Sequence, residues 1–142
     1  MRKIQQTKKG ILTVLAGTAL LIAAVCYGNN WFHGRADAQS GYRQITAQEA
    51  REIMETKTDA VILDVRTQEE YDTGHISGAV CLPVESIQGE PEILRDKEQT
   101  ILVYCRSGNR SKQAAQKLAD MGYTEILEFG GILNWPYPEL TE

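Results

Sequence analysis

Val103-Tyr104-Cys105-Arg106-Ser107-Gly108-Asn109-Arg110-Ser111 decides the fold of this chain. An apolar, β-branched run ends in a cysteine, a loop of small and basic residues follows, and a helical pattern begins at once. Such a loop sits at the carboxyl end of its strand, where open α/β sheets bind their ligands. Its backbone N–H groups form a bowl around one sulfur atom, at the positive end of the following helix. Gly108 and Asn109 tolerate the left-handed backbone that turns successive amides inward. Four residues separate Cys105 from Arg110, which keeps the bowl small.

A free thiol near pKa 8.5 is only a few per cent ionised at neutral pH. Lowering it to about 6.5 takes about 2.7 kcal/mol of preferential thiolate stabilisation. The helix N-terminus and the loop amides contribute to this, and Arg106 or Arg110 can supply the rest. Ser107 and Ser111 leave the mouth open and offer hydroxyls to a sulfur or an oxyanion. A cysteine merely buried at a strand end is the plain alternative, and the Arg-Ser-Gly-Asn-Arg-Ser surroundings argue against it.

Outward from the loop, Ala60-Val61-Ile62-Leu63-Asp64-Val65 reads as a parallel strand buried on both faces, with one acid near its end. Thr46-Ala47-Gln48-Glu49 and Thr67-Gln68-Glu69-Glu70 are capping boxes that open helices, the first continuing through Ala50, Ile53 and Met54. Gly74-His75-Ile76 turns the chain toward a short buried strand at 78–83 that contains Cys81. Residues 85–97, with Ile87, Ile93 and Leu94, predict a helix interrupted near Gly89 and Pro91. Residues 100–104 form the strand that delivers Cys105. Residues 110–121 place Ala114, Ala115, Leu118 and Ala119 on one helical face that ends at Gly122. A last strand at 126–129 precedes Gly130-Gly131 and a closing turn through Trp135. Strands alternating with helices predict an open parallel α/β sheet.

The first forty of the 142 residues stand apart from this pattern. Arg2, Lys3, Lys8 and Lys9 precede Ile11–Tyr27, which carries no charge. As a helix that segment spans about 26 Å, close to a hydrocarbon core of about 30 Å. Tyr27, Trp31 and Phe32 fall where an interfacial aromatic belt would lie, and the basic residues put the N-terminus inside. The expectation is a signal or membrane anchor over 1–27, a tether over 28–41 and one exported domain over 42–142. Cleavage near Ala36-Asp37-Ala38 and lipid modification of Cys26 are the alternatives, and both also export the domain. From Tyr42 onward ten Lys and Arg face eighteen Asp and Glu, so the domain is near −8 and a nucleic-acid partner is not expected. Cys81 reads as a small buried hydrophobe, and no structural disulfide is expected.

Three motifs together resemble the rhodanese family. Leu63-Asp64-Val65-Arg66, Glu69-Glu70-Tyr71 and Gly74-His75-Ile76-Ser77-Gly78-Ala79 look like its N-terminal signature. The Val103–Ser111 stretch resembles its active-site loop, and Gly130-Gly131-Ile132-Leu133-Asn134-Trp135 its closing segment. The resemblance runs from about Ile45 to Trp135. It implies a five-stranded parallel sheet flanked by helices and sulfurtransferase chemistry without metal or organic cofactor. Cys105 matches the sulfur-carrying cysteine, which takes the outer sulfur of thiosulfate or a persulfide and passes it to cyanide or an acceptor thiol. Arg106 and Arg110 are the candidates for drawing in anionic donors. Asp64 and Arg66 match supporting positions, and Glu70 is the expected partner of Arg66, since buried charges need one. His75 and Trp135 are read as structural.

Three other classes compete. Cysteine phosphatases also set a cysteine and an arginine around an amide bowl, but with five intervening residues and a histidine before the cysteine. Arg110 comes one residue too early for that, and Tyr104 precedes Cys105. A thiol–disulfide protein would pair Cys105 with Cys81, without a Cys-x-x-Cys motif to favour it. A binding or sulfur-relay module dedicated to one partner, with little turnover on thiosulfate, remains the stronger rival, because fold and loop do not fix the substrate.

Overall fold

Each strand of a parallel sheet is reached by a crossover, so short strands here alternate with helices and loops. The computed structural model describes residues 41–138 and the backbone of Leu140 and Thr141. In chain order it contains β1 (Arg43–Gln44), α1 (Ala47–Thr56), β2 (Val61–Asp64), α2 (Gln68–Asp72), β3 (His75–Ile76) and β4 (Ala79–Cys81). A 3-10 turn at Val84–Ser86 follows, then β5 (Ile101–Cys105), α3 (Asn109–Asp120), β6 (Ile126–Gly131), a second 3-10 turn at Ile132–Asn134, and β7 (Leu140–Thr141). The expected anchor and nearly all of the tether lie outside the described residues, and no described helix is long and apolar enough to cross a membrane.

Five strands form one sheet in the order β1-β6-β5-β2-β4, and all its pairings are parallel. This is the α/β architecture expected from the motifs. The strand that carries the cysteine, β5, is central and buried at every residue. Side chains alternate across a strand, so β5 feeds both sides of the sheet. Ile101, Val103 and Cys105 join Leu63, Ala114, Ala115, Leu118 and Ile126 on the α3 side. Leu102 and Tyr104 join Ala50, Ile53, Leu127 and Phe129 on the α1 side. Both capping boxes form: Thr46 caps α1 with Glu49, and Thr67 caps α2 with Glu70.

Several elements differ from expectation. Residues 85–97 are not helical; beyond the Val84–Ser86 turn they run as turns and loop. Lys117 Nζ donates to the carbonyls of Val84 and Ile87, and Tyr123 donates its hydroxyl to the Leu94 carbonyl. Those carbonyls are thereby satisfied from α3 and from the loop after it, without a helix. The strand around Cys81 is an edge strand with Val80 exposed, rather than a buried one. Two pairings had no period to announce them. One is two-residue β1 against β6; the other is β3 against β7 in a separate antiparallel ribbon.

Asp64, at the end of β2, is fully buried and organises the turn after it. Its carboxylate accepts hydrogen bonds from the Arg66 amide at 3.0 Å and from Arg66 Nε and Nη2 at 3.0 and 2.7 Å. Arg66 also donates to the Gly74 carbonyl at 2.7 Å, closing the loop around α2. The partner of Arg66 is therefore Asp64, and the expected pairing with Glu70 does not occur. The backbone supplies the reason: the tight turn after β2 folds Arg66 back onto the acid two residues before it, and Glu70 is held by Arg110. Replacing Asp64 by Ala leaves a guanidinium only 5% exposed without its counter-ion. Asp64→Ala is expected to cost about 3–5 kcal/mol, read as a lower urea midpoint at unchanged slope.

Candidate active site

The sheet brings Cys105 to its carboxyl edge, and the loop that follows turns back over the sulfur. Gly108 has φ of 103°, a left-handed conformation that other residues adopt only with strain, and its N–H donates to Cys105 Sγ at 3.1 Å. From below, β6 presses against the loop. A β-carbon at Gly131 would overlap the Arg106 carbonyl and Ser107 Cα, and the Leu133 amide donates to that same carbonyl at 3.2 Å. The Gly130-Gly131 pair thus closes the site as a packing surface.

Burial alone would push the Cys105 thiol up. The Ser111 side chain and the amides of Ser111, Gly108 and Ser107 hydrogen-bond the sulfur and outweigh that cost, so the thiol lies below its ordinary value. Four of the expected loop residues, Ser107, Gly108, Ser111 and Cys105 itself, therefore meet at one atom. Asn109 opens α3 and is exposed.

The two arginines do different work. Arg110 forms a two-pronged ion pair with Glu70, Nη1 to Oε2 at 2.6 Å and Nη2 to Oε1 at 2.8 Å. That bond holds the Glu70 carboxyl down at about 2. Its contribution to stability is present above the ordinary carboxylate range and fades only as pH falls toward 2. The pair ties α2 to the first turn of α3 and spends Arg110's charge there. Arg106 is exposed and its guanidinium has no partner among the described residues. It is the loop's uncommitted cation.

Other residues fall into place around this centre. His75 stacks on Tyr71 with ring centroids 3.7 Å apart, and Trp135 packs between Phe129 and Tyr137, as structural roles require. Tyr104 accepts the Ile76 amide through its hydroxyl, and burial pushes its phenol far up. Cys81 and Cys105 are both free thiols. Cys81 pairs in register with Asp64, and Asp64 with Tyr104, so one whole strand separates the two cysteines. Burial also pushes the Cys81 thiol up.

One residue of the site had not been singled out. Glu128, on β6 and 2% exposed, accepts the Ser111 hydroxyl at 2.5 Å and the Gly130 amide at 2.9 Å. The signal was an acid inside the apolar run Ile126-Leu127-Glu128-Phe129, the same signal that marked Asp64.

Comparison with known proteins agrees with this geometry. A family model described as a rhodanese-like domain matches residues 46–136. Thiosulfate sulfurtransferase GlpE of Coxiella burnetii is 40% identical over 95 residues, covering 66% of this chain and 87% of the relative. Thiosulfate sulfurtransferase PspE of Escherichia coli is 34% identical over 79 residues, covering 55% and 76%. A solved E. coli rhodanese with anions superposes with a TM-score of 0.53 at 32% identity, covering 58% of this chain and 98% of that one. With a family model that matches residues 46–136, well over half of the chain, this chain is a member of the rhodanese-like family.

Proposed function

We propose that the domain is a sulfurtransferase that carries sulfane sulfur as a Cys105 persulfide. The observation that carries the reading is a single thiol, lowered and nearly buried, in a bowl of amides beside one uncommitted arginine. The Cys105 thiolate attacks the outer sulfur of thiosulfate. A sulfur–sulfur bond forms to Cys105, the bond to the inner sulfur breaks, and sulfite leaves with the electron pair. The negative persulfide sulfur then lies against the loop amides, which compensate an anion without needing a metal. Attack by cyanide or an acceptor thiol on that outer sulfur returns the thiolate and releases thiocyanate or a new persulfide.

The names of the GlpE and PspE relatives and the anions of the E. coli neighbour support thiosulfate or a similar sulfur anion as donor. Because Arg110 is tied to Glu70, Arg106 is the group that meets an incoming anion. We also propose that the domain is displayed outside the membrane on an anchor at residues 11–27, for which the four preceding basic residues and the uncharged segment are the support.

After incubation with thiosulfate, mass spectrometry of the wild-type protein is expected to find one added sulfur on Cys105. Cys105→Ser should show none, with thiocyanate formation at background. No persulfide from thiosulfate or from any small persulfide donor would sink the reading. Arg106→Ala is expected to raise KM for thiosulfate about fivefold with kcat little changed, as befits an exposed charge contact. A kcat loss at constant KM would give Arg106 a different role. Protease added to intact cells should remove the domain while sparing a cytoplasmic control; full protection contradicts the anchor orientation.

A further inference from the structure

Ser111 holds the unresolved question of the site. Its hydroxyl oxygen lies 2.5 Å from Glu128 Oε1, 2.9 Å from the Gly108 carbonyl, 3.2 Å from the Gly130 carbonyl and 3.6 Å from Cys105 Sγ. A serine hydroxyl has one proton to give. While that proton points at Glu128, the shortest contact, Ser111 offers Cys105 only lone pairs, and the sulfur must keep its own proton to hydrogen-bond it. A thiolate requires the opposite arrangement, with the Ser111 proton turned to sulfur. Two oxygens 2.5 Å apart then have no hydrogen between them unless Glu128 carries one.

We infer that Glu128 takes up the Cys105 proton through Ser111, so that the resting cysteine is a thiolate whose proton is stored inside the protein. In the step, the S–H bond breaks and its electron pair stays on sulfur. That proton bonds to Ser111 Oγ as the original hydroxyl proton passes to Glu128 Oε1. Glu128 loses its negative charge as Cys105 gains one, so no second anion is created in a volume where both residues are at most 2% exposed. Glu128 acts through Ser111 and does not touch the reacting sulfur; it is a positioning residue. The inference rests on Cys105 being the reactive thiol.

Among the described residues no charged side chain pairs with Glu128, whose other partner is the Gly130 amide. Register partners share a face of the sheet, so β1 brings neutral Gln44 to the side of Glu128 and Arg43 to the other. From β5 the same face receives Val103, in register with Glu128, and then Cys105. From α3 it receives Ser111, while Arg110 is committed to Glu70 on α2. Arg106 is exposed on the loop, Glu85 interacts with Arg110, and Tyr42 and Tyr123 are the phenols packed against this side.

The test is the pH dependence of Cys105 alkylation by iodoacetamide, which needs no sulfur donor and so separates this inference from the sulfurtransferase reading. Glu128→Gln can still accept both hydrogen bonds through its amide oxygen, but it cannot take a proton. Uncharged and without a proton to exchange, it copies the protonated acid and is expected to alkylate within about twofold of the wild-type rate at pH 6. If Glu128 were only a buried negative charge, its removal would favour the thiolate and speed alkylation at pH 6. That result overturns the inference.

Ser111→Ala removes the hydroxyl that would donate to the thiolate and should alkylate about tenfold more slowly at pH 6 and at the wild-type rate at high pH; an unchanged profile would contradict the relay. Infrared difference spectra of the wild-type protein on alkylation decide, with Glu128→Gln as the control that assigns the signal. Alkylation removes the charge from Cys105, so a protonated carboxyl band should disappear and a carboxylate band appear. Absence of that exchange refutes the stored proton.

Discussion

The backbone of Gly131 lies against the backbone of Arg106 and Ser107 with no room for a β-carbon, and the whole site depends on that contact. It sets the height of the loop above the sheet, and so the distance at which the Gly108 amide meets Cys105 Sγ. It also places Glu128, three residues earlier on β6, directly beneath Ser111. A shorter side chain than glycine's does not exist, so the loop could not descend further and any substitution would lift it. The parallel sheet does the rest, since its central strand ends where the loop begins and delivers the cysteine already shielded from water.

Charge is handled economically. Two acids and two arginines near the edge are consumed by each other, Asp64 with Arg66 and Glu70 with Arg110, and both pairs serve to hold short elements in place. The pairs hold the loop through geometry and leave Arg106 as the one cation of the Cys105 loop outside an ion pair, in a domain whose net charge is strongly negative. A larger basic patch would draw in nucleic acid and other polyanions.

Much of this was legible because it is local. The Cys105 loop, both capping boxes and the four longer strands are written in neighbouring residues, where spacing and backbone preference act directly. The helix expected over residues 85–97 came from Ile87, Ile93 and Leu94, whose spacing imitates a helical face; what fixes that segment is Lys117 and Tyr123, far along the chain. Glu70 was expected to pair with Arg66 because a buried charge needs a partner, while its real partner Arg110 is forty residues away. Two-residue strands such as β1 and β3 carry no period at all. Asp64 and Glu128 announced themselves equally, as acids in apolar runs, but only the first belonged to a motif with a familiar reading.

The strand between Cys81 and Cys105 has one more consequence. Adjacent strands lie about 4.8 Å apart, so the two cysteines sit near 10 Å, beyond the reach of a disulfide without rebuilding the sheet. If an oxidant converts Cys105 to a sulfenic acid, no described residue can resolve it as a disulfide, and further oxidation is irreversible. Rescue then falls to a thiol outside the described residues, reaching the sulfur through the mouth beside Arg106. The same opening that admits a sulfur donor thus also serves the repair of an oxidised active site.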